Sequence, residues 1–564
     1  MSWIDWAVFV AFLVWVVIDG LKRTRDTKSL EDYYAGGRRI PWWAAGLSIM
    51  ATQASAITVI GTTGKGHEGG MAFLQTYIGL PVAMVLLCIF IVPLLRERPI
   101  LTAYEYLEHR FGPFARTIAS VVFLVSRCAA LGIVIYAPAV VLSATTGLSR
   151  DETIVILGAV TTGYVLFGGV SAVVWTDVKQ MLVIVAGLVI VLVALLMRLF
   201  EDLSLQEMLL AAGAADKLNA IRTSPASLDL LPSAGESFWT DEYNVLSGLF
   251  GGTFLMLAYF GCDQSQAQRL LTSSDANQSR KALLLSGFAK LPMQILVLFI
   301  GVLLWLFHTV DGGALRYDTA AFDGVEPAAA QALEAQFEVA ESERRQRLLE
   351  FVAAPDDSGA FDAYRASVLA VDTVRAAADE LVGDDDVNFI FPHFVLNELP
   401  VVIVGLIFAA IFAAAMSSAD SVLNSLSAAS VVDLYVRWIR PSARDSEALV
   451  AGRISTLLWG GFATASALWL AGDGAIIEQV NKIGSFFYGT LLGSFVLALL
   501  CRRAGETAAC VGMLGGMATV LAVHWSVRVQ FLWYNLIGCV AVVAIGWLVA
   551  TIRPRDAGEP AGQR

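Results

Sequence analysis

Charge is scarce in this sequence: 16% of its 564 residues are Asp, Glu, Lys or Arg, against about 25% in an ordinary soluble chain. Histidine is scarcer still. The five that occur, His67, His109, His308, His393 and His524, have no metal-site spacing. All six cysteines lie in or beside apolar runs, so neither a disulfide framework nor a CxxC metal knuckle is present. No phosphate-binding glycine loop, nucleophile elbow, or haem, iron–sulfur or phosphorylation motif stands out. Those gaps argue against an enzyme, a pump or an electron carrier, and no cofactor is expected. A basic stripe able to neutralise phosphates is also missing, so no nucleic-acid partner is expected. What is abundant is apolar surface: 57% of the residues are hydrophobic and the mean hydropathy is +0.67. A soluble fold of this length cannot cover that much apolar area, which leaves an all-α polytopic membrane protein.

Apolar runs long enough to cross about 30 Å of hydrocarbon occur at 3–20, 41–63, 72–95, 116–146, 151–168, 176–200, 245–263, 282–309, 398–425, 447–471, 476–501, 506–527 and 530–552. The first carries Asp5 and no Lys or Arg in its leading segment and is followed by Lys22, Arg23, Arg25 and Lys28, the flanks of an anchor with its N-terminus outside rather than of a cleaved signal. Thirteen crossings then place 23 Lys and Arg on the inner side and 11 outside, six of those 11 in the long segment 311–395. Short inner loops rich in Lys and Arg are the usual orientation signal, so the C-terminus is expected in the cytoplasm and the lipid bilayer is the chain's first partner. The acidity is local: segment 311–395 carries 18 Asp and Glu against 6 Arg, the entire net charge of −12. Its helical pattern from Pro327 to Ala353 and the breaker Pro355-Asp356-Asp357 suggest a small solvated cap outside the membrane, with a substrate-capturing lid as the alternative. The other outer loop, 201–244, pairs an amphipathic stretch, Leu205 to Ile221, with a Pro/Ser-rich segment.

Two runs differ from the rest. Run 41–63 carries Ser48, Thr52, Gln53, Ser55 and Thr58 in its middle and Gly61 and Gly64 at its end; run 245–263 holds Gly251 and Gly252 and leads into QSQAQR. Polar groups and unwound backbone at bilayer depth are tolerated where they meet each other, an ion or a water-filled cavity. The alternative is close packing of small residues. The two runs lie five spans apart, an odd offset, so any repeat relating them is inverted, and paired interrupted segments of this kind mark the binding site of secondary transporters. A third polar stretch, 410–425, holds adjacent Ser417 and Ser418, about 100° apart on a helix. Their hydroxyls, with carbonyls freed by a broken helix, suit a hard cation that needs about five oxygens; serines bonded to their own helix are the alternative.

Several stretches in order carry a family resemblance: DYYAGGRRIPWWAAGLSIMATQASA from Asp32, TAYEYLEHRFG from Thr102, GGVSAVVWTDVKQ from Gly168, DQSQAQRLL from Asp263, AAAMSSADSVLNS from Ala413 and GSFFYGTLLGSFVL from Gly484. The chain resembles the sodium:solute symporter family, which includes sodium-coupled sugar, proline, sialic acid, iodide and monocarboxylate carriers. The resemblance implies a LeuT-like five-plus-five inverted repeat. Residues 1–30 would be an extra helix, 31–200 the first half, 201–244 an outer loop, and 245–501 the second half with the insertion 311–395. Residues 502–564 would add two helices and a short tail. It implies sodium as the coupling ion, a small organic solute as cargo and a plasma (inner) membrane location. The implied sodium site uses carbonyls of Ala51, Ala54 and Ala414 and hydroxyls of Ser417 and Ser418, with Asp177 on the ion's inward path. From the residues alone Asp177 could equally be an interfacial carboxylate beside Lys179.

The substrate stays open. Where the family's sugar carriers have Gln or His this chain has Thr58; where they have Glu it has Tyr77; and the proline carriers' Asp aligns with Gln53. Lys290 matches a lysine that hydrogen-bonds sugar in some members, or it snorkels to the inner face. Tyr259, Gln264, Asn481 and Lys482 complete the cavity candidates. A sodium-conducting or solute channel, or a transport-like sensor, remain as alternatives, although the roughly twelve residues after the last run leave little room for a signalling domain.

Overall fold

The computed structural model describes residues 2–22, 29–146, 148–221, 244–318, 322, 325–383, 385–469, 476–527 and 529–553. Residues 23–28, with the flanking Arg23, Arg25 and Lys28, the Pro/Ser-rich 222–243 and the tail from 554 lie outside them. The described residues are helical throughout, with no strand. Eight helices are long and apolar enough to cross a membrane, and two shorter apolar ones occur at Trp3–Val16 and Ser247–Gly261. This is a multi-pass membrane protein.

Helix starts are set by side chains that take the unpaired amides of the first turn. Ser149 and Glu152 cap helix Arg150–Leu199, Ser204 and Glu207 cap Leu205–Ala214, and Asp275 caps Ala276–Asp311. Helix Ala103–Arg110 was not anticipated. Its start is held by Glu105, which accepts from the amides of Leu101 and Thr102 at 2.8 and 2.9 Å. The break expected between two spans at 168–180 is a single residue. Gly169, at φ +57°, ψ 177°, turns the chain inside Arg150–Leu199, and the second segment resumes at once. Asp177 is thereby carried about two turns into that segment and fully buried, which corrects its expected place at the start of a span. The expected run 398–425 is also displaced: helix Ile403–Ala428 follows the separate Ile390–Glu398 and continues as a wider-wound π-helix over Ala429–Ile439.

Helices in lipid gain little from burying apolar side chains against one another, so close approach through small residues holds them together. Gly66 and Gly301 meet in this way. A Cβ on Gly66 would lie 2.4 Å from the Leu298 carbonyl, and one on Gly301 2.2 Å from that of Thr63. The last two helices, Glu506–Ser526 and Leu532–Ile552, close on each other through Gly512, Gly516 and Gly546.

The insertion forms a hairpin, Pro327–Ala353 and Ser358–Val382, turning at 354–357. It is more firmly seated than a solvated cap. Leu315, Phe337, Val371 and Ala378 form its own small core. Arg344 lies over the Trp305 ring at 5.8 Å, Arg375 donates to the Tyr317 hydroxyl at 3.0 Å, and Tyr364 and Arg365 reach helix Leu205–Ala214 and Asp216.

Candidate functional site

Helix Trp42–Gln53 ends because Ala54 leaves helical geometry (φ −81°, ψ 55°), and Ser55 caps the following helix, Ala56–Gly69, by accepting from the Thr58 amide at 3.2 Å. The last carbonyls of a helix have no intrahelical donor. Here side chains supply some of them: Ser418 Oγ donates to the Thr52 carbonyl at 3.0 Å, and Thr58 Oγ1 to that of Gln53 at 2.8 Å. Ala51 and Ala54 lie in the same break, both without exposed surface. The second interrupted run behaves alike. Helix Gly252–Gly261 stops at Cys262, and Asp263 caps Gln264–Leu271.

Ser417 and Ser418 face different partners, as their angular separation requires. Ser418 Oγ also reaches its own Ala414 carbonyl at 3.2 Å, whereas Ser417 Oγ donates to Asp177 Oδ1 at 2.5 Å. Both hydroxyls donate their protons, so their lone pairs stay free to accept or to coordinate. Together with the carbonyls of the break these are neutral, hard oxygens, which fits an alkali cation rather than a transition metal. Of the five residues expected to hold sodium, Ala51 and Ala54 lie at the first helix break, Ser418 joins its own Ala414 carbonyl to the Thr52 carbonyl there, and Ser417 turns its hydroxyl to Asp177.

Asp177 is the centre of a network that, besides Ser417, draws in residues the sequence did not single out as site residues. Ser48 Oγ donates to Asp177 Oδ2 at 2.5 Å, and Arg269 Nη2 lies 3.4 Å from the same oxygen. Arg269 Nε donates to Ser48 Oγ at 2.9 Å, and its Nη2 also reaches Ser421 Oγ, which contacts Thr52 Oγ1 at 3.0 Å and Asp420 Oδ1 at 3.1 Å. Ser48, Arg269, Asp420 and Ser421 are all buried. A signal existed for Arg269, since an ionisable side chain next to an apolar run is a functional candidate by default.

Beside the break lies a cavity of about 120 Å³, lined by Gln53, Thr58, Tyr77, Tyr259, Lys290 and Asn481, all expected there. Arg127, Ser418 and Tyr488 join them. Thr52 and Ser418 thus line the cavity and are also joined to each other at the helix break. Arg127 was missed. It pairs with Asp263 at 2.5 Å and sits over the rings of Tyr259 and Tyr488 at 5.2 and 5.6 Å. Lys290 is buried rather than snorkelled, with Nζ 3.3 Å from the Gln53 carbonyl. Gln264 does not reach the cavity. It follows the Asp263 cap, and its amide is engaged by the Ala103 N–H at 2.8 Å and the Leu101 carbonyl at 3.0 Å. Lys482 is exposed. A larger groove of about 1020 Å³ between Ser430 and Phe462 shares none of these residues and is mostly apolar.

The chain belongs to the sodium:solute symporter family, whose model matches residues 33–321 and 366–516. It is 26% identical to the sodium/sialic acid symporter SiaT of Proteus mirabilis, over 98% of this chain and 95% of that one. It is also 26% identical to the human sodium/iodide cotransporter, over 92% and 69%, and 24% identical to the sodium/glucose cotransporter of Vibrio parahaemolyticus, over 99% and 92%. The fold is that of a Na+-coupled sialic acid symporter solved in a substrate-bound outward-open state, with a TM-score of 0.77 at 24% identity, covering 98% of this chain and 99% of that one.

Proposed function

We propose that this symporter moves one organic solute inward with sodium by alternating access, with thirteen crossings and two inverted five-helix halves. The halves would run from the helix at Trp42 to Leu199 and from Ser247 to Leu500, the N-terminus outside and the C-terminus in the cytoplasm of a plasma (inner) membrane. Two helix breaks five spans apart, at Ala54 and Cys262, support the inverted relation. Ala51, Ala54, Ala414, Ser417 and Ser418 bind the ion, Asp177 relays it inward, and the cavity beside them takes the solute.

The observation that carries this reading is the Ser418 hydroxyl on the Thr52 carbonyl, with both residues also lining the cavity. An ion that draws helices Trp42–Gln53 and Ile403–Ala428 together shapes the solute pocket, so each ligand raises the other's affinity by one shared factor. A 100 mV potential contributes about 2.3 kcal/mol per charge and a tenfold sodium gradient about 1.4 kcal/mol. One ion therefore supports accumulation of a neutral solute by about five hundredfold.

The test is uptake into liposomes holding the purified protein, with pyruvate, glucose and N-acetylneuraminate each offered under an inward sodium or choline gradient. Accumulation driven by sodium alone is expected for at least one. Ser418→Ala should raise the sodium concentration for half-maximal uptake by about fivefold or more, with solute affinity at saturating sodium moving much less. A mutant sodium curve lying on the wild-type one would rule out the ion site and leave symport standing.

A further inference from the structure

The groove of about 1020 Å³ runs between the π-helix Ala429–Ile439 and helix Asp445–Trp469, and it shares no residue with the solute cavity. Small side chains hollow the seam: Ser430 on the first helix and Ala451 and Ser455, one turn apart, on the second. Trp459 ties the two helices together, its Nε1 donating to Ser430 Oγ at 3.0 Å. Along the second helix Val450, Ile454, Leu458 and Phe462 recur every four residues, line the groove and are 45–68% exposed. On a multi-pass membrane protein an open apolar wall of this kind meets acyl chains.

The mouth is different. Arg440 ends the π-helix, its amide donating to the Tyr435 carbonyl at 2.8 Å, and Glu447 stands in the first turn of the next helix. Both line the groove, so its mouth carries one charge of each sign. Arg440 Nε lies 3.7 Å from Glu447 Oε2, with the two side chains 60% and 42% exposed. A loose, exposed pair contributes little, and either partner gains by exchanging it for a closer one. The neighbouring charges add no net sign: Arg437 is taken by Glu108 at 2.8 Å, and the exposed Arg444 and Asp445 cancel.

Within a bilayer the tail seat selects nothing, because an acyl chain is as well surrounded by other chains as by apolar side chains. Selection falls to the headgroup. A net-anionic lipid would satisfy Arg440 and bring its own sign to Glu447. A choline headgroup would offer Glu447 a cation with no N–H to donate. A phosphate followed by a primary ammonium satisfies both residues with charge-assisted hydrogen bonds. We propose that this groove is a binding site for a zwitterionic phospholipid of the phosphatidylethanolamine type, with its phosphate on Arg440, its ammonium on Glu447 and an acyl chain along Val450, Ile454 and Leu458. This rests on helix Asp445–Trp469 crossing the bilayer, as proposed above, and not on which end is inside or on which solute is carried.

The experiment is thermal unfolding of the purified, delipidated full-length protein in detergent, titrated with phosphatidylethanolamine, phosphatidylcholine and phosphatidylglycerol of identical acyl chains. Phosphatidylethanolamine should stabilise at a half-saturating concentration fivefold or more below the other two. Glu447→Gln should cut its advantage over phosphatidylglycerol to twofold or less, and Ala451→Trp, which fills the hollow, should remove the stabilisation. Equal effects of the three lipids, a stronger effect of phosphatidylglycerol, stabilisation by none of them, or a full advantage retained in Glu447→Gln would overturn the proposal. Should Ala451→Trp not fold, the wild-type order of the lipids and the exposed Glu447→Gln change decide the matter alone. Any of these failures leaves sodium-driven uptake, measured separately in liposomes, untouched.

Discussion

Asp177 is a carboxylate with no exposed surface whose two oxygens are held by two serine hydroxyls and, at 3.4 Å, by an arginine that is itself 1% exposed. Removing one member of a buried ion pair usually costs about 3–5 kcal/mol because the other charge is left unmatched. Here Arg269 also reaches Ser421, next to Asp420, which softens the loss. Asp177→Asn should therefore fold, melt at a lower temperature, and slow sodium-driven uptake by about tenfold or more, the equivalent of at least about 1.4 kcal/mol in the barrier. The half-saturating solute concentration should move far less, because the cavity wall does not include Asp177. Initial rates across a solute titration separate the two quantities. Unchanged rates would reduce Asp177 to a structural pair for Arg269.

At the scale of elements, helix Ala56–Gly69 and helix Ala276–Asp311 carry the break on one side and Lys290 on the other, and they touch through Gly66 and Gly301. A side chain on Gly301 meets the Thr63 backbone at 2.2 Å, where no rotamer change relieves the clash. Gly301→Val should force the two helices apart, lower the melting temperature and weaken solute binding together, read by thermal unfolding and a binding titration on the same preparation. Gly169→Ala is a milder perturbation. Its φ of +57° with ψ of 177° lies in a region kept essentially for glycine, which costs an L side chain about 1–3 kcal/mol, and a Cβ would approach the Tyr33 carbonyl at 2.9 Å. That variant should lose stability while the solute cavity, which Gly169 does not line, keeps its affinity.

For the whole molecule the testable matter is which end faces which compartment. Under the proposed orientation, in which the inner loops carry most of the short-loop Lys and Arg, Glu350, exposed on the insertion hairpin, is expected outside, and Arg440, exposed just after the helical segment Ala429–Ile439, is expected inside. Glu350→Cys should react with a membrane-impermeant maleimide on intact cells, and Arg440→Cys only after the cells are opened. The reverse pattern would invert the topology and with it the direction assigned to Asp177. The hairpin meets the helix that carries Lys290 through Arg344 over the Trp305 ring, while Tyr364 reaches the Ala211 carbonyl and Arg375 the Tyr317 hydroxyl.

The membrane class and the two runs that are interrupted, 41–63 and 245–263, were legible from composition and from local chemistry; where each run breaks, at Ala54 and at Cys262, the structure showed. Apolar content decides the solvent a chain needs. A Ser55 or Asp263 cap following an apolar run ends one helix and starts the next within a few residues. The separation of Ser417 from Ser418 followed from helix geometry alone. What only the tertiary structure decided are the partners, because they come from elsewhere in the chain: Arg269 meets Ser48 across 221 positions, and Ser417 meets Asp177 across 240. No periodicity within a single helix records which neighbour it will face. For that reason Asp177 read equally well as interfacial, Gln264 as a cavity residue and Lys290 as a snorkelling one. Packing settled all three: it buried Asp177 among two serines and an arginine, turned Gln264 onto the backbone of 101–103, and left Lys290 in the cavity wall.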